Sequence, residues 1–229
     1  MLVLKLRRGR VRNDGVRSVV PLVRTKSRKY GPVLDEKALS IKTDWLVSGA
    51  NSSGKTRWIT RVHTQAPGIW RKHPAIMLRA HMPLSAWAED ERIKAHVEQN
   101  GERWNKLRTW ERTERLISWV EANRAAVLID DAHLLTGRKA DIMVQVVRGA
   151  GRVVTTTTSE GRIPITLRMA LQARSPEYVH LDSDAPYDMT AVIAWMIAVI
   201  ATAAGAWPVA AVVGGLHLLG RGARSAKQS

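Results

Sequence analysis

The chain has 229 residues, no cysteine and a formal net charge of +16, from 36 basic and 20 acidic side chains. This length accommodates one sizeable α/β domain with an appendage. The lack of cysteine excludes disulfide bonds and thiolate metal sites. Half of the net charge lies in residues 1–40, where eleven Lys and Arg stand against three Asp and Glu. Leu2–Leu4 is too short for the apolar core of a signal peptide, so we expect none.

Residues 1–44 form a basic, β-prone N-terminal extension. A turn at Asn13-Asp14-Gly15 separates the first two of three predicted strands, which are Leu2–Leu6, Val16–Val23 and Ala38–Ile41. The basic residues within positions 5–29 suit nucleic acid or an anionic membrane surface as a partner. A solvated extension explains the same pattern, and Tyr30 is the only aromatic residue there that could stack on a base.

The next stretch combines an apolar run, a loop with two glycines and the start of a predicted helix. Trp45–Ser48 is the apolar run and Arg57–Val62 the helix, and the loop between them is Gly49-Ala50-Asn51-Ser52-Ser53-Gly54-Lys55-Thr56. Its G-x-x-x-x-G-K-T spacing is that of a phosphate-binding loop, in which backbone N–H groups and the positive helix end surround phosphates. We predict that all eight loop residues contact a nucleotide, with ATP as the expected ligand.

Two side chains of the loop have roles of their own. Lys55 supplies a positive charge to the phosphates, and Thr56 supplies a hydroxyl ligand for Mg²⁺. We expect Lys55 to be solvated when the loop holds no nucleotide. Many such loops have a further glycine at the position of Ser52 or Ser53, which predicts a stiffer or tighter loop in this chain.

A second motif supplies two carboxylates. Ala126–Ile129 is a continuous apolar run, typical of a buried parallel strand, and Asp130 and Asp131 follow it. Ligands bind at the carboxyl ends of such strands. The sequence therefore predicts that Asp130 holds the Mg²⁺ ion, mostly through water. Asp131 is predicted to orient and deprotonate the attacking water, although its side chain is one methylene shorter than the usual Glu.

From Trp45 onward, predicted strands alternate with helices, which indicates an α/β fold with a parallel sheet. The predicted strands are Asp44–Ser48, Ala75–His81, Ala125–Asp130, Arg152–Thr158 and Glu177–Leu181. A long helical region is predicted from Ser85 to about Asn123, and its apolar positions, which we expect to pack in the core, are Leu107, Trp110, Ile117 and Val120.

With these motifs, Trp45–Leu181 resembles the additional-strand class of P-loop ATPases, and within it the AAA+ type. The stretch Ile129–Leu135 is similar to the second motif of replication-initiator and signalling ATPases of this class. The resemblance implies that Thr157 or Thr158 is a polar sensor near the γ-phosphate, and we favour Thr158.

The same resemblance implies that Arg168 or Arg174 is presented to a neighbouring subunit as an arginine finger. The chain departs from the AAA+ type in one respect, because we predict no helical lid after Leu181. Ring assembly and the coupling of hydrolysis to movement therefore do not follow from the resemblance. A weaker resemblance is to the zonula-occludens-toxin type of phage assembly ATPase, which joins a cytoplasmic P-loop domain to a membrane span.

The C-terminal region changes character. Thr190–Gly220 has no formally charged residue, and Gly205–Pro208 interrupts it near the middle. We predict a membrane-anchoring helical hairpin from Tyr187–Ala204 and Trp207–Gly220. A buried Ala-rich helical pair is the alternative. The predicted domains are 1–44, the ATPase domain 45–182, the hairpin 187–220 and the basic tail 221–229.

Together these features predict a cytoplasmic ATPase domain tethered to the inner membrane, which binds ATP with Mg²⁺ and hydrolyses it to remodel a DNA or protein complex. We expect the membrane as a partner, and a homo-oligomer, nucleic acid at residues 5–29 and an unidentified protein as further partners. The alternatives are a non-hydrolysing nucleotide-binding adaptor and a phage-type export ATPase.

The hairpin makes a topological prediction. A cysteine placed at Ser229 of this cysteine-free chain should resist a membrane-impermeant thiol reagent on intact cells, because two spans return the basic tail to the cytoplasm. The same cysteine should react after permeabilisation, which serves as the control. Reaction on intact cells would indicate one tilted span instead.

Overall fold

A computed structural model of the chain describes residues 2–27, 31–181, 200 and 203. The chain divides into two compact units, Met1–Asp184 and Ala185–Ser229. The predicted hairpin at 187–220 lies outside the described residues except for Ile200 and Ala203, and the basic tail lies wholly outside them. No helix within the described part is both long and apolar enough to span a bilayer. The finer domain boundaries stay predictions.

The N-terminal extension is a three-stranded antiparallel sheet in the order β1-β2-β3. Its strands are β1 (Leu2–Val11), β2 (Arg17–Lys26) and β3 (Val33–Ala38). One face presents apolar side chains to the core of the larger sheet, where Leu2, Leu4, Leu6, Val19 and Val23 pack.

The prediction of a third strand at Ala38–Ile41 is wrong, because that strand ends at Ala38. Ser40 forms a turn that accepts hydrogen bonds from the backbone N–H of Thr43 and the indole of Trp45.

The second sheet is parallel throughout and has the order β5-β6-β7-β4-β8. Its strands are β4 (Trp45–Gly49), β5 (Ala75–Arg79), β6 (Ala126–Asp130), β7 (Arg152–Thr157) and β8 (Glu177–Leu181). All five match predicted strands to within two residues at each end. Strand β7 lies between the strand that leads into the loop and the strand that ends in the two acids. An inserted strand at this place is what the additional-strand class requires, so this part of the prediction is confirmed.

Helices cover both faces of the parallel sheet. Within the described residues they are α1 (Lys55–Thr64), α2 (Ala66–Ile69), α3 (Leu84–Trp87), α4 (Glu91–Gln99), α5 (Thr109–Ala122), α6 (Arg138–Gly149) and α7 (Ile165–Gln172). On one face α1 packs through Trp58, Ile59 and Val62 against strand residues such as Val47. The other face is covered by α3 to α7. The start of α1 lies beside the end of β6, where the Thr56 hydroxyl donates to Asp130.

The predicted long helix from Ser85 to Asn123 is wrong, since the structure divides it into α3, α4 and α5. Asp90 begins α4 by accepting a hydrogen bond from the Arg92 N–H at 2.9 Å, and Gly101 ends that segment with a φ of +79°. The tryptophans at 87, 104 and 119 are buried, whereas Trp110, which we expected in the core, is 44% exposed.

Asp44 joins three elements at the opposite end of the parallel sheet. Its carboxylate is 7% exposed, accepts the N–H of Val153 at 2.9 Å and forms an ion pair with Arg174. Its carbonyl accepts the N–H of Glu177 at 2.7 Å. Arg174 also donates to the Val147 carbonyl at 3.1 Å. The structure therefore gives Arg174 a role in packing α7 and does not present it as a free arginine finger.

Replacing Asp44 with Ala should reduce the free energy of unfolding by about 2–4 kcal/mol, because it leaves the buried N–H of Val153 without its acceptor and removes the ion-pair partner of Arg174. Urea denaturation followed by circular dichroism measures this effect. As a control, Glu91→Ala breaks the exposed pair with Lys94 and should have no measurable effect. Equal effects of both changes would contradict the anchoring role of Asp44.

Candidate nucleotide site

The phosphate loop connects the end of β4 at Gly49 with the start of α1 at Lys55. Glycine is required at both ends for different reasons. A Cβ at Gly49 would lie 2.7 Å from the carbonyl oxygen of Leu181 in the neighbouring strand β8. Gly54 has a φ of +87°, in the left-handed region. Ser52 also lies there, at +64°, although it has a side chain. The absence of a third glycine thus places strain in the loop itself.

The expectation that Lys55 is solvated is wrong, because the residue is only 5% exposed. Its ammonium group donates to the carbonyl oxygens of Gly49 and Ala50, both at 2.7 Å, and to the Ser53 hydroxyl at 3.3 Å. Burial lowers the pKa of Lys55, while the nearby Asp131 and Asp130 oppose that shift. The lysine therefore folds back onto its own loop and closes it.

An open cleft of about 650 Å³ lies over the loop and the first two turns of α1. Its lining consists of Asn51, Ser52, Gly54, Lys55, Thr56, Arg57, Thr60, Arg61 and Asp131. The structure thus brings the loop and one of the predicted acids to the same cleft. Sequence inspection missed the contribution of Arg57, Thr60 and Arg61, although their spacing on a helix that begins in the loop places them on one face.

Asp130 is fully buried at the end of β6. Its Oδ1 accepts hydrogen bonds from the hydroxyls of Thr156 at 2.6 Å and Thr56 at 3.3 Å. Its Oδ2 is buried and has no hydrogen-bond partner within the described residues. A buried carboxylate oxygen without a partner is costly, and a cation removes that cost. Together with the Thr56 hydroxyl, these oxygen donors fit Mg²⁺.

Asp131 follows in the left-handed conformation, with φ +56° and ψ +48°. Its backbone N–H donates to the Thr156 hydroxyl at 3.1 Å. Thr156 therefore accepts from Asp131 and donates to Asp130, which fixes the two acids relative to each other. Sequence inspection missed Thr156, because four consecutive threonines, 155 to 158, have equal β propensity.

The structure separates the two threonines that the resemblance offers as sensors. The hydroxyl of Thr157 donates a hydrogen bond to the carbonyl oxygen of Ser159 at 2.9 Å. The hydroxyl of Thr158 is buried and has no partner in the described part of the chain. An unpaired buried hydroxyl is available to a ligand. This favours Thr158, whose role as a sensor stays a prediction.

His133 lies close to the acids. Its Nδ1 is buried and has no hydrogen-bond partner within the described residues. Burial lowers the pKa of His133, and Asp131 works against that effect. By contrast, Arg168 lies half-buried on α7 and is absent from the lining of the cleft. Its predicted role therefore depends on a second copy of the chain.

The chain is similar to several proteins of known structure. Aeropyrum pernix Orc1 in complex with DNA is 18% identical over 66% of this chain and 42% of that chain, with a TM-score of 0.43. Cdc6 of Pyrobaculum aerophilum is 13% identical over 67% of this chain and 42% of that chain, at 0.38. Domain III of Thermotoga maritima DnaA is 15% identical over 69% of this chain and 61% of that chain, at 0.39.

This chain spans less than half the length of the Orc1 and Cdc6 chains. No protein-family model matches it, and no curated protein matches it. The fold is therefore assigned from the chain itself, namely from the inserted strand β7, the phosphate loop after β4 and the two acids after β6. The described part has a P-loop NTPase fold with the additional strand β7.

The position of Thr156 makes a prediction about its hydroxyl. Thr156→Val keeps the shape but leaves the Asp131 N–H unpaired, and we expect a loss of about 1–3 kcal/mol in the free energy of unfolding. It should also weaken the Mg²⁺-dependent part of ATP affinity. Thr156→Ser retains the hydroxyl and should restore most of both quantities, measured by urea denaturation and titration calorimetry. A loss in Thr156→Ser without one in Thr156→Val would instead assign the effect to packing of the methyl group, which only valine retains.

Proposed function

We propose that this chain is an ATPase that binds ATP with Mg²⁺ at the phosphate loop and hydrolyses it. The observation that carries the proposal is the carboxylate of Asp130, which is fully buried against Thr56 and keeps one oxygen unpaired within the described residues. A carboxylate in that position is expensive unless a cation binds it. The adjacent loop has the spacing of a phosphate site, and the phosphates that it binds would accompany the cation.

Binding of ATP requires Lys55 to change partners. In the structure its ammonium group holds the carbonyls of Gly49 and Ala50. Phosphate oxygens are charged acceptors and form stronger hydrogen bonds with an ammonium group than carbonyls do. The exchange also frees the loop to present its N–H groups to the phosphates. Nucleotide binding and loop opening are therefore one event in this proposal.

Hydrolysis assigns different tasks to the two acids. Thr56 and Asp130 would hold Mg²⁺, which when bound neutralises charge on the phosphates. Asp131 lines the cleft, and its carboxylate orients the attacking water and accepts its proton. Since Asp is shorter than Glu, the fixed left-handed backbone at this residue and its bond to Thr156 matter more for the position of the carboxylate. Thr158 donates its unpaired hydroxyl to the γ-phosphate.

A homo-oligomer extends the proposal. Arg168 lies outside the cleft of its own chain, so it serves as an arginine finger only in the site of a second copy. Hydrolysis by the isolated chain is then slow. The energy is used to remodel a DNA or protein complex at the cytoplasmic face of a membrane, to which residues 187–220 tether the domain. A non-hydrolysing adaptor, in which ATP only opens the loop, is the alternative.

Turnover and binding of three full-length variants test the proposal. Asp131→Asn should keep the affinity for Mg·ATP and lower turnover by roughly 100-fold or more, because it removes the base. Asp130→Asn should weaken only the Mg²⁺-dependent part of binding. Asp141→Asn changes an exposed acid on α6 and serves as the matched control.

Release of phosphate measures turnover, and calorimetry with and without Mg²⁺ measures binding. Wild-type binding without turnover, under all protein concentrations, would favour the adaptor. Lys55→Ala should abolish ATP binding. Because Lys55 also closes the loop, its unfolding curve must accompany the binding measurement. Retained ATP affinity in that variant would overturn the nucleotide site.

A further inference from the structure

Trp110 is the exception among the tryptophans of the described residues. Six of the seven are between 1% and 7% exposed, whereas Trp110 is 44% exposed. It is the second residue of α5, and that helix packs in the core through Thr113, Leu116, Trp119 and Val120. An indole left in water gives up a large hydrophobic stabilisation. An aromatic ring presented at the surface is a common feature of binding sites.

Three exposed cations lie in the eight residues that end at Trp110, namely Arg103, Lys106 and Arg108. None of them has an ion-pair partner among the described residues. The carboxylates closest in sequence pair with other groups than the side chains of these three cations. Glu102 pairs with Arg115, and Glu111 accepts the N–H of Arg108 at the start of α5. We call Arg103, Lys106, Arg108 and Trp110 the Trp110 patch.

The backbone under the Trp110 patch is held in place. Trp104, at the start of the short 3-10 turn Trp104–Lys106, is 7% exposed. The guanidinium of Arg112 lies 4.9 Å from the centre of its ring and pairs with Glu89 at 3.2 Å. These contacts fix the segment between α4 and α5. The cations of the patch are thus carried on an ordered segment, which lowers the entropy cost of binding.

We propose that the Trp110 patch binds single-stranded nucleic acid, with a base stacked on Trp110 and backbone phosphates against Arg103, Lys106 and Arg108. Single strands expose the faces of their bases, which stack on aromatic rings without regard to sequence. A duplex offers phosphates but no free base face, so it leaves the indole unused. An acidic peptide likewise pairs with the cations and gains nothing from the indole plane.

This site differs from the one predicted at residues 5–29. In the N-terminal sheet, Arg7 and Arg24 both pair with Glu36, and Arg12 donates to the carbonyl of Gly68. Part of that basic charge is therefore neutralised or engaged within the fold. The Trp110 patch combines unpaired cations with an exposed ring. It involves no residue that lines the nucleotide cleft, so it stands independently of the proposed ATPase activity.

Fluorescence anisotropy of the full-length protein with a labelled 20-nucleotide thymidine strand tests the proposal. Trp110→Ala should weaken binding roughly tenfold or more, and Trp110→Tyr should recover most of the affinity. Tyr178→Ala removes another exposed aromatic ring, on β8, and should have no effect. Unchanged affinity in Trp110→Ala, or a loss in Trp110→Tyr equal to that in Trp110→Ala, would overturn the proposal.

The cations are tested by charge reversal at Arg103, Lys106 and Arg108 together. The slope of log affinity against log salt should fall by roughly 2, since each phosphate contact contributes about 0.7 on a single strand. A control variant reverses three exposed cations elsewhere, at Lys42, Lys72 and Arg148, with the same change in net charge. Equal losses in both triple variants would reduce the effect to overall charge and overturn the proposal.

Two further measurements distinguish a single-strand site from a damaged fold, a duplex site and an acidic-protein site. ATP binding by each variant should match the wild type, which shows that the fold and the nucleotide site are intact. A duplex of the same length should bind more weakly than the single strand and should be insensitive to Trp110→Ala. Displacement of the strand by polyglutamate at equal charge concentration would identify an acidic protein as the partner and would contradict the proposal.

Discussion

The carboxylate of Asp130 is the constraint on which the site depends. It is fully buried, receives two hydroxyl hydrogen bonds on Oδ1 and keeps Oδ2 without a partner in the described part of the chain. The fold tolerates this because the donors come from two rigid elements, α1 and β7. The same donor on β7 also holds the backbone of Asp131. The inserted strand therefore does more than widen the sheet, since Thr156 on it contacts both acidic residues.

The loop is closed by its own lysine. Lys55 bonds two loop carbonyls, and burial lowers its pKa, so the ammonium group is desolvated before any phosphate arrives. A charged acceptor gains more from such a group than a carbonyl does. The left-handed Ser52 adds strain in the same loop. In the proposed function, a phosphate ligand would exchange these lysine contacts, which couples nucleotide binding to the conformation of the loop.

Many of the charged side chains in this protein form specific ion pairs within the fold. In the N-terminal sheet, carboxylates neutralise part of the basic residues, and its apolar face completes the core beneath α1. Asp44 and Arg174 join the opposite end of the parallel sheet to the segment that follows α7.

The sequence by itself determined the loop, the two acids and the five parallel strands, because each depends on a local pattern. Glycine spacing, a buried apolar run and alternation of strands and helices involve residues that are close in the chain. Tertiary structure decided the rest. Thr156 was chosen among four threonines by its contact with Asp130, which is 26 positions away. Lys55 is buried and donates to carbonyl oxygens of its own loop. Arg174 forms an ion pair with Asp44, which is 130 positions away. Trp110 stayed exposed although α5 packs in the core through Thr113, Leu116, Trp119 and Val120. Hydrogen-bond partners and burial depend on which distant segments meet, and periodicity within one segment carries no information about that.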